Sequence, residues 1–146
     1  MKPNKKFLYD YLNAYAPVAQ EQEGQGVWID YVKQYSDDIS LDAYGSATAI
    51  RYGDGLTPPS SRLKVVIEAH CDEIAWIITQ IDSDGMIRVK RHGGSDNMIA
   101  PSKSVMIHTH CGKKVRGVFG WPAIHTRAAS TEMAYHQHEL WVDTGL

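Results

Sequence analysis

His70, Asp72 and Glu73 stand together in the run Lys64 to Ile78, KVVIEAHCDEIAWII, and they are the residue types from which a metal site is assembled. An imidazole is a common ligand for a borderline divalent cation. Two residues on, Asp72 is placed to take the proton of the other ring nitrogen or to orient a neighbouring ligand, and Glu73 adds negative charge. A bare His-x-Asp triplet is equally what the end of a strand followed by a solvated turn looks like, so its surroundings decide. Lys64 to Ala69 alternates poorly and is rich in Val and Ile, which suits a strand buried on both faces of a sheet covered by helices. Such strands present their chemistry at the carboxyl end, where His70 falls.

The elements before this run read as helical and then mixed. Phe7, Leu8, Tyr11, Leu12 and Tyr15 recur at spacings of three and four, which predicts a helix ended by Pro17. Gln25 to Tyr35 repeats the pattern and is followed by the turn cluster Ser36-Asp37-Asp38. Ile39 to Leu41 and Ala47 to Tyr52 read as strands around Tyr44-Gly45. Gly53 to Arg62, with Asp54, Gly55, Pro58 and Pro59, is a surface loop by composition.

After Asp72 the helical signal disappears and short strands punctuated by turns take over. Ile74 to Ile81 and Met86 to Lys90 flank Asp82-Ser83-Asp84-Gly85, a hairpin signal because Asp and Gly tolerate positive φ. Val105 to His110 and Lys114 to Phe119 flank Cys111-Gly112-Lys113 in the same way, and His138 to Val142 reads as a last strand. Trp76, Ile78, Met98, Ile99, Trp121 and Trp141 supply large apolar side chains, either for this module's own core or for a surface between subunits.

The remaining candidates for chemistry are weaker. His108 and His110 fall on one face of an extended strand, beside Cys111, and His136 and His138 share that spacing; with no C-x-x-C or H-x3-H pattern, the reading is imidazoles on a polar strand face. Strand alternation turns Cys71 away from His70, so a buried, inert thiol is expected there. No G-x-S-x-G elbow, G-x-x-x-x-G-K-[ST] loop or G-x-G-x-x-G fingerprint occurs. The chain of 146 residues is 43% hydrophobic and 22% charged, a globular balance, and its net charge of -2 argues against a nucleic-acid or anionic-membrane partner. No run approaches the roughly 20 apolar residues of a membrane span. The polar opening Met1 to Lys6 is no signal peptide, and Cys71 and Cys111 are too few for a disulfide scaffold, so a cytoplasmic location is expected.

Four blocks, in order, resemble the M42 family of metallo-aminopeptidases. VVIEAHCDEIAWIITQIDSDGMIRVKRHGG is similar to the block in which a strand ends in A-H-x-D-E-I and a hairpin follows. The opening helices and ISLDAYGSATAIRYGDG resemble that family's start and its D-x-x-G-N strand pair, with Ser46 in place of the usual Asn; KKVRGVFGWPAIH resembles G-V-I-G-x-x-P-x-H, and HELWVDTGL resembles L-x-I-D-I-G. The resemblance implies an α/β fold: residues 1–73 as the start of a zinc-peptidase-like catalytic domain, and residues 74–146 as a small β-rich, barrel-like inserted domain of the dimerisation type, not of necessity complete.

For function, the resemblance implies removal of amino-terminal residues from peptides at two divalent ions, zinc or cobalt. It makes His70 a metal ligand, gives Asp72 a catalytic part in orienting the site, and leaves Glu73 as a supporting charge. His125, in the G-x-x-P-x-H segment, has a candidate role on the substrate side or in subunit contact. The bridging carboxylate, the general base and the other ligands fall beyond Leu146 in the family pattern, so at most a partial metal site is expected here, inactive alone. The complete enzyme would form dimers that assemble into a larger closed complex. A different reading makes the chain a non-catalytic association module or degraded relative pairing with a carboxyl-terminal partner, and another substrate class, an amide or a glycoside, is a third.

Overall fold

The computed structural model describes residues 4–53, 55–127 and 137–146. The chain divides into two compact units, Met1–Glu73 and Ile74–Leu146.

The first unit opens with α1 (Lys5–Leu12), capped where the Asn4 side chain accepts the Phe7 backbone N–H at 3.1 Å. The helix stops well short of Pro17. Asn13 ends it: its side-chain amide donates to the Tyr9 carbonyl at 2.7 Å while its backbone N–H does the same at 3.1 Å, the local competition that makes Asn a helix terminator. Helix α2 (Gln22–Val32) begins earlier than its periodicity predicts and tightens into a 3-10 turn, Lys33–Tyr35. The two helices meet through aromatic rings, Phe7 stacking on Tyr31 with centroids 4.0 Å apart. Gly24 of α2 sits over buried Ala16, where a Cβ would come within 2.9 Å of the Ala16 Cβ.

Strands β1 (Asp38–Leu41) and β2 (Ala47–Ile50) pair antiparallel in register from Asp38 opposite Ile50 to Leu41 opposite Ala47. The Gln25 side-chain amide donates to the Gly45 carbonyl at 3.1 Å and ties this hairpin to α2. One expectation fails here. Lys64 to Ala69 forms no strand, and Val65, Val66 and Ile67 are 75%, 85% and 94% exposed. A strand of that kind needs hydrogen-bonded neighbours and helices on both faces. Among the described residues none pairs with it, since β1 and β2 make a separate two-stranded sheet.

The second unit is an antiparallel sheet of β3 (Ala75–Ile81), β4 (Ile87–His92), β5 (Ser104–His108), β6 (Lys114–Gly120) and β7 (Trp141–Asp143), in the order β3-β4-β7-β6-β5. Among the described residues the sheet is open, with β3 and β5 at its edges, rather than a closed barrel. Both predicted hairpins are present. In the first, Gly85 adopts φ +84° and the Asp82 carboxylate accepts from Arg88 Nε at 2.7 Å and from the Gln80 amide at 2.8 Å. The last strand is shorter and later than predicted, because Gln137–Glu139 forms a 3-10 turn. Ile87, Val89, Ala100, Phe119, Leu140 and Val142 form the core, with Trp76 edge-on to Phe119 at 5.0 Å. Of the large apolar residues noted above, Trp76 and Trp121 pack against this core, whereas Ile78, Met98 and Ile99 are exposed.

Candidate metal site

His70 and Asp72 are brought together. His70 Nδ1 lies 3.0 Å from Asp72 Oδ1, and the imidazole is 84% exposed while the carboxylate is 38% exposed. With Nδ1 donating its proton to the carboxylate, the lone pair on Nε2 faces outward, which is the tautomer a metal-binding histidine needs. A divalent cation therefore fits this pair as one imidazole ligand with its orienting carboxylate. It does not fit as a whole centre: among the described residues no group of three or more His, Cys, Asp or Glu is placed to hold a metal.

Glu73 does more than add charge. Its side-chain Oε1 accepts the Ala16 backbone N–H at 2.9 Å, its own backbone N–H donates to the Ala16 carbonyl at 2.8 Å, and it forms an isolated parallel bridge with Pro17. Nothing local in the sequence signals a partner 57 residues away. Cys71, between the two site residues, is partly buried. Burial pushes its thiol pKa up, and the carboxylates of Glu21 and Asp72 push it further, so the group is held as an unreactive thiol.

Among the described residues the other histidines do not assemble. His108 is the last residue of β5, opposite Lys114, and His110 lies beyond it in the turn, so the two do not share a strand face as predicted. His125 is exposed in the 3-10 turn Ile124–Thr126, and His138 is exposed in that of Gln137–Glu139. His136 lies outside the described residues.

The sequence profile of the M42 glutamyl aminopeptidase family matches residues 55–146, a stretch that contains His70, Asp72, Glu73 and the whole antiparallel sheet. The chain belongs to the M42 family. Among proteins similar to it, the FrvX protein of Escherichia coli (strain K12) is 31% identical over 146 residues, which takes in 97% of this chain and 38% of that protein. Aminopeptidase APDkam598 from the archaeon Desulfurococcus kamchatkensis has a structure that superposes with a TM-score of 0.83 at 26% identity, covering 97% of this chain and 37% of that one. The TET1 peptidase of Pyrococcus horikoshii, described as able to assemble into a tetrahedron or a large octahedral shell, matches at a TM-score of 0.71 and 23% identity, over 97% of this chain and 40% of that one. The chain thus spans well under half the length of the relatives it matches, and it carries their α/β fold over that span.

Proposed function

We propose that this chain contributes the amino-terminal part of a metal-dependent aminopeptidase. The observation that carries the reading is the exposed His70 imidazole with Nδ1 held 3.0 Å from Asp72, an arrangement that leaves Nε2 for a cation. His70 would hold one of two divalent ions, zinc or cobalt, and Asp72 would fix its tautomer and ring plane. When bound, such ions supply Lewis acidity toward a scissile carbonyl and lower the pKa of a bound water. The remaining ligands and the general base would come from sequence that the relatives carry and this chain does not, so the chain alone is expected to be inactive. In this reading residues 1–73 belong to the catalytic domain. Residues 74–146 form a module through which copies associate, supported by exposed Ile77, Ile78 and Ile81 on one edge strand and Met106 on the other.

Calorimetric titration of the chain with zinc tests this. Binding no tighter than about the micromolar range is expected, lost in His70→Ala, with no release of amino acid from a chromogenic aminoacyl substrate. Nanomolar affinity would overturn the incompleteness of the site. Binding indifferent to His70→Ala would overturn the role of the imidazole.

A further inference from the structure

The segment carrying the His-x-Asp triplet has little to hold it. Residues 64–72 take no part in helix or strand, and the stretch from Val65 to His70 is exposed throughout. Besides the partly buried Cys71 side chain, what anchors it among the described residues lies three residues past the imidazole, where Glu73 grips both sides of Ala16. The Ala16 N–H donates to the Glu73 carboxylate at 2.9 Å and the Ala16 carbonyl accepts the Glu73 N–H at 2.8 Å. A charged acceptor makes the first of these stronger than a neutral peptide bond would be. The gripped residue is itself held in place, since Ala16 is 5% exposed and Pro17 is buried, and the close approach of Gly24 seats Ala16 against α2.

We propose that Glu73 is a positioning residue, whose clamp on Ala16 sets where the His70–Asp72 pair is presented relative to the α1–α2 helix pair. In its consequence for metal binding the proposal rests on the reading of His70 as a ligand. The chemistry required of Glu73 is an acceptor of fixed reach, not a charge: Glu73→Gln keeps an oxygen at the same place, whereas Glu73→Ala leaves the Ala16 N–H without it.

Two readouts on the 146-residue chain test this, with far-UV circular dichroism confirming that each variant keeps its helices. The first is hydrogen exchange at the Ala16 amide, which does not depend on metal. It should be slow in the parent and in Glu73→Gln and faster by about tenfold or more in Glu73→Ala. The second is the zinc concentration that half-shifts the His70 ring resonances in NMR, which should rise by about threefold or more in Glu73→Ala and return toward the parent value in Glu73→Gln. Unchanged exchange in Glu73→Ala, or a Glu73→Gln variant as impaired as Glu73→Ala, would overturn the clamp. An unchanged zinc midpoint in Glu73→Ala despite fast exchange would overturn its role in positioning. If zinc leaves the His70 ring unmoved in the parent while Ala16 exchange responds as expected, the metal reading of His70 fails and the clamp stands.

Discussion

The Asp42 carboxylate accepts the Ser46 backbone N–H at 2.9 Å, and the same oxygen accepts the Tyr44 N–H at 2.9 Å. This one side chain closes the turn between β1 and β2, where Gly45 takes φ +87°. Because the turn uses the backbone N–H of residue 46, the change from the family's Asn to Ser46 leaves the hydrogen bond in place. The backbone bond from Ser46 is the largest cause holding the Asp42 carboxyl below its ordinary 3.8; burial, the next largest, opposes it, and Tyr44, the Ser46 hydroxyl and Gly45 add to the lowering. A carboxyl depressed in the folded state contributes stability above its unfolded pKa and loses it as pH falls through the folded one. Urea midpoints measured from neutral pH downward should therefore fall as pH drops below about 4, and Asp42→Asn should flatten that slope. Slopes that match between parent and variant would contradict this.

Ala19 has φ +65° in the connector between α1 and α2. The left-handed conformation crowds its Cβ against the following carbonyl at about 1–2 kcal/mol, more than glycine's extra chain entropy costs. Ala19→Gly should stabilise the chain by up to about 1 kcal/mol in chemical denaturation, and Ala19→Val should destabilise it. A lower midpoint for the glycine variant would count against this geometry.

Gly117 and Gly120 both allow β6 to lie close to β7, with different tolerance. A Cβ on Gly117 would meet Val142 Cγ1 at 2.5 Å and the Asp143 carbonyl at 3.2 Å, whereas one on Gly120 would meet the Trp141 indole Nε1 at 2.2 Å. Val142 is 2% exposed, but the Trp141 side chain is only half-buried and can turn outward. Gly117→Ala is therefore expected to lose about 1–3 kcal/mol and Gly120→Ala less, as measured by thermal unfolding. The reverse ranking would show that the indole is the fixed partner.

The two thiols should differ in reactivity. Cys111 is exposed, and hydrogen bonding from the Thr109 hydroxyl, 3.2 Å away, lowers its pKa with help from the Lys113 backbone, while burial raises that of Cys71. More of Cys111 is thiolate near neutral pH, so iodoacetamide should label it first, and Thr109→Val should slow that labelling by about threefold. Mass spectrometry of peptides quenched at early times reads the order directly. Faster modification of Cys71 would refute it.

The sequence was most legible where a turn carries its own chemistry. Asp82 with Gly85, and Thr109 with Gly112, close their hairpins through contacts made within the turn, and the flanking strands fall where the pattern placed them except at their ends, where His110 drops into the turn. Helix ends were less legible, since Asn13 ends α1 by a side-chain bond that apolar periodicity does not register. Lys64 to Ala69 shows the opposite limit: its Val and Ile content is that of a covered strand, yet pairing is a property of neighbours, and none pairs with it among the described residues. At the site, His70 and Asp72 were legible because their contact spans two residues. The grip of Glu73 was not, because its partner comes from the far end of the first unit.

Among the described strands of the second unit's sheet, the middle one is the last in chain order. Residues 141–143 lie between β4 and β6, with Val142 opposite both Ile87 and Phe119. During synthesis both hairpins leave the ribosome before the segment that joins them, and Leu140 and Val142, the most deeply enclosed side chains of the core, arrive after Ile87, Val89, Ala100 and Phe119. Until then the nascent hairpins have an unfilled gap where a chaperone or a neighbouring nascent chain can compete for the same edges.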